Sequence, residues 1–124
     1  MSAKRSKILV VEDDPFLLEL YQMKLNEEGF EVFVAHNGRE GFEVAEANQP
    51  ELILLDILMP EVDGYEMLKK IKASAQTKKI PVIIFSNLSQ REEIEKGLRL
   101  GAADFIVKTS LTPLQIAQKV KEYF

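Results

Sequence analysis

Five short apolar runs alternate strictly with five segments of helical spacing, and this alternation constrains the fold more than any other feature of the sequence. The predicted strands are Lys7 to Val11, Glu31 to Ala35, Leu52 to Asp56, Ile80 to Ser86 and Asp104 to Val107. Such alternation predicts a parallel sheet with right-handed crossovers and helices on both faces. The third run is apolar at every position before Asp56, which is typical of a central strand covered on both sides. The predicted class is therefore α/β, a doubly wound five-stranded parallel sheet.

The helical segments carry their own start and stop signals. Asp14-Pro15 supplies an N-cap and a first-turn proline for a helix that runs to about Glu28, where Gly29 is placed as a C-terminal cap. The apolar face predicted for this helix is Leu17, Leu20, Tyr21 and Leu25. The other helices are predicted after Asn37-Gly38 to about Ala47, after Asp63-Gly64 to near Ala73, from Gln90 to Leu100, and from the capping signature Thr112-Pro113 with Gln115 to Phe124.

Length and composition limit the classes of function. A chain of 124 residues encloses one core, so we expect a single domain over 1–124, with the core from about residue 7 and an N-terminal tail over 1–6. The net charge of -4 argues against a general affinity for nucleic acid or anionic membrane. The absence of cysteine excludes a thiol nucleophile and fits a reducing cytosol. With neither a signal-peptide pattern nor a membrane-spanning apolar run, we expect a cytoplasmic protein.

Three carboxylates fall at strand ends that the expected topology brings together. The leading order for such a sheet is 2-1-3-4-5, in which the ends of strands one and three meet at the switch point. Strand one ends in Glu12-Asp13 and strand three in Asp56. Carboxylates at such short range raise one another's pKa or require a cation. An oxygen-seeking divalent metal answers that need, with Mg²⁺ expected and Mn²⁺ as an alternative.

A hydroxyl and an ammonium follow the two remaining strands of this edge. Strand four ends in Ser86, and Lys108 follows strand five. A metal, a lysine and a hydroxyl together indicate phosphate chemistry. A carboxylate accepts a phosphoryl group when cations neutralise the incoming oxygens. Asp56 is the candidate acceptor because it is central and the other groups flank it.

With these residues in view, the sequence resembles the receiver domains of two-component response regulators. The resemblance runs from KILVVEDD through LLDILMPEVDG and IIFSN to GAADFIVK, and it covers essentially the whole chain. Each motif alone is weak, but the set spread over four strand ends is specific. The resemblance implies a flavodoxin-like fold. Members of this family are known examples of the 2-1-3-4-5 order, so that order is not independent evidence.

The resemblance implies roles for the acids. Asp56 would accept a phosphoryl group from a phosphohistidine on a sensor histidine kinase or a histidine phosphotransfer protein. Glu12 and Asp13 would hold Mg²⁺ together with Asp56 and the backbone carbonyl of Leu58. No turnover of an external substrate is expected, so the chain would be a signalling domain and not an enzyme in the ordinary sense.

The resemblance also implies a switch. Lys108 would pair with the phosphoryl oxygens, Ser86 would move to hydrogen-bond the phosphate, and Phe105 occupies the place of an aromatic that rotates inward behind that hydroxyl. The output surface would be the fourth helix, the fifth strand and the fifth helix, which would dock a downstream protein target. Direct contact with nucleic acid or membrane is not expected, and the chain would be a monomer or a phosphorylation-dependent dimer.

Several positions depart from the family pattern. Asn87 stands where the family usually has Ala or Gly, which predicts narrower access to Asp56. Thr109 follows Lys108 where the family usually has a proline after a cis peptide bond. A cis bond before a non-proline residue costs about 2.5–4 kcal/mol, so we predict trans. Leu58 and Leu88 border the expected path of the hydrolytic water, and two apolar side chains there lead to the hypothesis of a long-lived phosphoryl group.

Three alternatives stay open at this stage. A nucleotide- or flavin-binding domain on the same sheet would need a glycine- or hydroxyl-rich loop after strand one, where this chain has Glu-Asp-Asp-Pro. A phosphatase with an aspartate nucleophile would need an acid at Leu58. A degenerate receiver would act as a docking module without phosphorylation. The sequence does not decide between a stand-alone regulator and a piece of a longer protein. His36 is expected to be a surface residue without a partner, and Asp14 a helix cap.

Overall fold

The computed structural model of the protein describes residues 5–57, 64–87 and 91–124. The strands are β1 (Lys7–Val11), β2 (Glu31–Ala35), β3 (Leu52–Leu55), β4 (Val82–Ser86) and β5 (Asp104–Val107). The helices are α1 (Pro15–Glu27), α2 (Gly38–Asn48), α3 (Gly64–Ala73), α4 (Arg91–Arg99) and α5 (Pro113–Lys121). The strands form a parallel sheet in the order β2-β1-β3-β4-β5. The predicted fold class and strand order are confirmed.

Two apolar layers lie on opposite faces of the sheet. The α1/α5 face carries the buried side chains that β1, β3, β4 and β5 pack against α1 and α5. The α2/α3 face carries those packed against α2 and α3. Every residue of β3 and β4 is buried, as a central strand between two helical layers requires. The chemistry-bearing residues therefore lie at or just beyond the carboxyl ends of these strands.

The predicted apolar face of α1 is confirmed at Tyr21 and Leu25, but the prediction omitted Leu18. Leu18, Tyr21 and Leu25 are the buried residues of this helix, whereas Leu17 and Leu20 are half-buried. Positions 18, 21 and 25 follow the spacing of three and four residues that keeps side chains on one helical face. The sequence has leucine at 17, 18 and 20, so hydropathy alone did not select the face.

Some element ends also differ from the prediction. β4 begins at Val82 and not at Ile80, because the Ile80 amide donates to the Thr77 carbonyl and Pro81 has no amide hydrogen. β3 ends at Leu55, although the Asp56 amide continues the ladder by donating to the Val11 carbonyl at 3.0 Å. α5 ends at Lys121, short of the predicted Phe124.

The predicted caps are confirmed. The Asp14 carboxylate accepts from the amides of Phe16 at 2.9 Å and Leu17 at 3.2 Å, which satisfies two amides that have no partner inside α1. Thr112 and Gln115 form a reciprocal capping box at the start of α5. Gly29 follows the C-cap residue Glu28 of α1 and has a φ of 95°, a conformation that glycine adopts without strain.

A short 3₁₀ turn, Lys108–Ser110, connects β5 to α5 and was not predicted. Among the described residues, no peptide bond is cis, so the trans bond expected between Lys108 and Thr109 is confirmed. Over the same residues, no helix is both long enough and apolar enough to cross a membrane.

Candidate functional site

The ends of β1 and β3 leave the sheet side by side. Val11 pairs with Leu55 in the parallel ladder, so the residues that follow them, Glu12 and Asp56, are neighbours. The Glu12 amide donates to the Ala35 carbonyl at 3.1 Å, which anchors this strand end to β2 as well. Backbone hydrogen bonding thus fixes the positions of the Glu12 and Asp56 backbones independently of any side-chain contact.

Alternation along the strands then brings three charged side chains to one face. The last apolar residues that β1, β3 and β5 contribute to the α1/α5 face are Val10, Leu54 and Ile106. Two residues further along each strand stand Glu12, Asp56 and Lys108. Side chains two positions apart on a strand point to the same face, so these three charged groups form a layer above the apolar one.

The acids form a compact group. Glu12, Asp13 and Asp56 each offer a carboxylate oxygen, and these oxygens lie within 4.8 Å of one another. Glu12 and Asp56 are buried at 1% and 3% exposure, whereas Asp13 is exposed. Burial raises the pKa of Glu12, a hydrogen bond from Lys108 lowers it in part, and the charge of Asp56 raises it further. Burial also raises the pKa of Asp13, with a contribution from Glu12. The sequence predicted the repulsion between the carboxylates, but it did not predict that burial is the larger cause of the raised pKa values.

Lys108 is the cation of this group. Its ammonium donates to the Glu12 carboxylate and, at 3.1 Å, to Oδ2 of Asp56. Burial lowers the pKa of Lys108, but the hydrogen bond to Glu12 and the charges of Asp56 and Glu12 outweigh burial and raise it. The lysine is therefore charged at neutral pH, and it reaches Asp56 across a trans peptide bond.

Ser86 and Phe105, the two predicted switch residues, lie on the neighbouring strands β4 and β5. Ser86 is the last residue of β4, fully buried, and it pairs with Val107 next to Lys108. Phe105 is half-buried in β5 and packs against the α2/α3 face. Its ring lies beside Gly97 of α4, where an added Cβ would stand 3.3 Å from Cδ2 of the ring. The switching roles of Ser86 and Phe105 stay predictions.

Gly64 holds the start of α3 against the acceptor strand. A Cβ built on Gly64 would lie 2.4 Å from the Ile57 Cα and 2.6 Å from the Asp56 carbonyl oxygen. These are backbone atoms, which a side chain cannot push aside cheaply. The Gly64 amide also donates to the Ile57 carbonyl at 3.2 Å. Only glycine fits this close approach, and the sequence marked it merely as a turn residue.

Some predicted features lie elsewhere or outside the described residues. Leu58, whose carbonyl is the fourth expected metal ligand, and Leu88 fall outside the described residues. Asn87 is described and exposed at the end of β4. His36 is exposed as predicted, but it does have a partner, because its Nδ1 lies 3.3 Å from Glu40 on the first turn of α2. Asp14 caps α1, as expected.

The sequence also missed two contacts of the site. The first contact is the salt bridge between Glu12, which we had predicted as a metal ligand, and Lys108, which we had predicted as a phosphate-binding residue. Glutamate has one methylene group more than aspartate, and this longer side chain at position 12 was the feature of the sequence that could have indicated contact with Lys108. The second contact is aromatic: the Lys108 ammonium lies 4.8 Å from the ring centroid of Phe85. Nothing in the sequence indicated a role for Phe85 beyond core packing.

The fold and the site define a doubly wound α/β domain with an acidic group and a lysine at the carboxyl edge of its sheet. The family model of the response regulator receiver domain matches residues 8–121. The chain therefore belongs to this family and is a phosphoacceptor signalling domain of two-component systems. Mg²⁺ binding by an acidic cluster and formation of an aspartyl phosphate are typical of the family.

Curated relatives span different lengths. An uncharacterized 14.6 kDa protein of Leptolyngbya boryana is 33% identical, over 94% of this chain and 88% of its own length. The alkaline phosphatase synthesis transcriptional regulatory protein PhoP of Bacillus subtilis is 35% identical, over 93% of this chain and 47% of its own length. The chain thus spans about half the length of this transcriptional regulator.

Solved structures share the whole fold. The chemotaxis protein CheY4 of Vibrio cholerae superposes with a TM-score of 0.90 at 25% identity, over 98% of this chain and 100% of that one. The receiver domain of a signal transduction histidine kinase from Syntrophus aciditrophicus has a TM-score of 0.83 at 36% identity, over 94% of this chain and 88% of that one.

Proposed function

We propose that Asp56 is the residue that accepts the phosphoryl group. The observation that carries the proposal is the position of its carboxylate: buried, grouped with Glu12 and Asp13, and hydrogen-bonded by Lys108 at 3.1 Å. An oxygen of Asp56 forms a bond to phosphorus while the bond from phosphorus to the donor imidazole nitrogen breaks. The electron pair of the broken bond returns to the imidazole, and the product is an aspartyl phosphate.

The neighbouring residues have distinct parts in this transfer. Lys108 supplies a fixed positive charge where phosphoryl oxygens arrive, and such preorganised charge lowers the barrier more in a buried site than in water. Ser86 would donate a hydrogen bond to one of these oxygens after the transfer. Phe105 would follow that movement and alter the surface formed by α4, β5 and α5, where a downstream protein target would dock.

We also propose that the acids hold Mg²⁺, with Mn²⁺ as an alternative. Carboxylate oxygens from Glu12, Asp13 and Asp56 suit a hard cation, and Asp13 offers its oxygen from an exposed position. The backbone carbonyl of Leu58 would complete the protein ligands. When bound, the cation supplies positive charge that offsets the acids and the incoming phosphoryl oxygens.

The phosphoryl donor would be a phosphohistidine of a sensor kinase or of a histidine phosphotransfer protein. His36 is not a candidate for that donor, because it lies on the surface paired with Glu40. We further propose that the 124 residues act as one domain, monomeric or dimeric on phosphorylation, with no turnover of an external substrate. Cytoplasmic location stays a prediction of the composition. Stand-alone action and action within a longer chain both remain compatible with this proposal.

The test is incubation with Mg²⁺ and a small acyl phosphate, followed by intact mass measurement. Wild type should gain the mass of one phosphoryl group, and Asp56→Asn should gain none. Asp104→Asn is the matched control, because Asp104 is a half-buried acid outside the cluster, paired with Lys119 at 3.5 Å. It should be phosphorylated like wild type.

Two results would count against the proposal. Phosphate on Asp56→Asn would place the acceptor elsewhere. No phosphate on wild type, with Mg²⁺ in excess, would favour the docking module that works without phosphorylation.

A further inference from the structure

An aromatic ring lies beneath the ammonium group of Lys108. The Phe85 side chain is fully buried, and the Lys108 Nζ stands 4.8 Å from its ring centroid. A cation within about 6 Å of the centroid is attracted by the negative face of the ring. Lys108 therefore has three neighbours: two carboxylates that draw it by charge, and a neutral ring on a further side.

The strand register explains why the ring is there. Phe85 pairs with Ile106 in the ladder between β4 and β5, and Lys108 stands two residues beyond Ile106 on the same face. Phe85 belongs to the last apolar layer of the α1/α5 face, and Lys108 to the charged layer directly above it. The ring thus forms part of the floor of the site.

A second aromatic residue fixes the orientation of that floor. Tyr21 of α1 contacts Phe85 with ring centroids 5.0 Å apart and ring planes at 82°, an edge-to-face pair. Tyr21 is itself buried at 5% exposure. The ring plane of Phe85 is therefore held by a residue of α1, outside the two strands that carry Phe85 and lead to Lys108.

Charge alone does not fix where the lysine points. Glu12 and Asp56 both bind the ammonium, and the lysine side chain has four rotatable bonds above a 3₁₀ turn. A cation held by the acids would compete with Lys108 for the same oxygens. Mg²⁺ prefers oxygen ligands to an aromatic ring, so the attraction of the ring for the ammonium persists whether or not the acids hold a cation.

We propose that Phe85, held edge-on by Tyr21, is a positioning residue that keeps Lys108 aimed at Asp56. This inference rests on the proposed function of Asp56 for its consequence, but the contact itself can be measured without phosphorylation. Phe85 acts through Lys108 and does not touch the phosphoryl group.

The contact has a spectroscopic signature. Protons above an aromatic face are shifted upfield, so the Lys108 ε-methylene protons should resonate upfield of the other lysines in the NMR spectrum of wild type. Phe85→Leu, which keeps an apolar side chain but removes the ring, should abolish the shift. Tyr21→Phe, which keeps the edge contact, should retain it. Lys108 resonances at ordinary positions in wild type would overturn the proposal.

The functional consequence is tested by a double-mutant cycle on the rate of phosphorylation by a small acyl phosphate. Phe85→Leu should slow wild type roughly two- to thirty-fold, the range expected for loss of a partly desolvated cation–π contact. In a Lys108→Met background, the same substitution should change the residual rate less than about twofold, because its effect passes through the lysine.

An equal slowing in both backgrounds would mean that Phe85 only supports the core, and would overturn the proposal. Rates are compared at a temperature where circular dichroism shows every variant folded. If Phe85→Leu does not fold, Phe85→Met, a longer and more adaptable side chain, replaces it in the cycle. If wild type takes up no phosphate, the proposed function fails, whereas the upfield shift still decides whether the positioning contact exists.

Discussion

The Tyr65 hydroxyl on α3 donates a hydrogen bond of 2.7 Å to the Glu93 carboxylate on α4. The same hydroxyl lies 3.1 Å from the Glu93 carbonyl oxygen, and the Lys96 ammonium stands 4.3 Å from the centroid of the Tyr65 ring. Gly97 is the buried residue of α4, so this polar helix has little apolar surface with which to hold the sheet. Tyr65 therefore attaches α4 to α3, in addition to the packing of Gly97 against Ile84 and Phe105.

Tyr65→Phe should loosen α4 without unfolding the protein. A hydrogen bond to a charged group contributes about 1.5–3 kcal/mol, and the free energy of local opening of α4 should fall by an amount of this order. Hydrogen exchange of the amides over 91–99 should accelerate accordingly. Tyr123→Phe is the control, because its hydroxyl makes a longer bond of 3.3 Å to Asp104 at an exposed position. Equal exchange in wild type and Tyr65→Phe would contradict this account.

The acidic cluster should make the folded state less stable as pH rises. Carboxylates in ion pairs have the opposite effect, because their pKa values are lowered in the folded state. The pKa of Glu12 is raised above its ordinary value of 4.5, mainly by burial, and that of the more exposed Asp13 is raised above 3.8 by partial burial and by the neighbouring Glu12. The folded state then binds more protons than the unfolded state above those values. Their contribution to the free energy of unfolding therefore decreases as pH rises from about 4 through the raised pKa values.

Mg²⁺ should reverse that trend. A ligand that binds only the folded state stabilises it, and protons compete with the cation for the same oxygens. The denaturation midpoint should rise on adding Mg²⁺, and it should rise more at pH 7 than at pH 5. Lys108 does not change this window, because its raised pKa keeps its contribution constant until the pH passes 10.5. Identical midpoints with Mg²⁺ and with chelator at pH 7 would refute a metal site here.

Gly64→Ala should damage both stability and phosphoryl uptake. The added methyl group would overlap backbone atoms of Ile57 and Asp56, and overpacking of this kind costs about 1–3 kcal/mol. Gly41→Ala is the matched control, since its nearest neighbour is the Met67 Sδ at 2.8 Å, part of a flexible side chain. Urea denaturation and intact mass after acyl phosphate treatment check both effects. Normal uptake by Gly64→Ala would show that the position of Asp56 tolerates the shift.

Thr77→Val should cost stability and leave phosphorylation intact. The Thr77 hydroxyl is fully buried and donates to the Ile71 carbonyl at 2.8 Å near the end of α3. The valine would leave that carbonyl without this donor, at a cost of about 1–3 kcal/mol. Thr109→Val, at an exposed position, should change the denaturation midpoint far less. A loss of phosphate uptake in Thr77→Val would contradict the separation of this bond from the site.

The fold was predictable because its signals are local. Strand runs, caps and the Asp14-Pro15 pair act within a few residues, and they predicted β1, β2 and β5 with the bounds that the structure has. The face of α1 was not predictable in the same way, because three leucines compete within four positions. Its choice depends on which of them meets the sheet, and that is decided by tertiary packing.

The site was predictable in its residues and not in its contacts. Parallel topology brings strand ends together whatever their partners are, so Glu12, Asp56 and Lys108 could be grouped from sequence. The Phe85 ring under Lys108 and the bond between Tyr65 and Glu93 depend on side-chain direction between elements far apart along the chain. No local pattern encodes such contacts.

The ion pair between Lys108 and Glu12 joins residues separated by 96 positions, and that between Lys108 and Asp56 spans 52. Contacts of such long range form only after the intervening chain has been ordered, because loop closure has to be offset first. A nascent or truncated chain that lacks β5 would carry the acids without their lysine. Such a chain would lack the cation on which the proposed phosphoryl transfer to Asp56 depends.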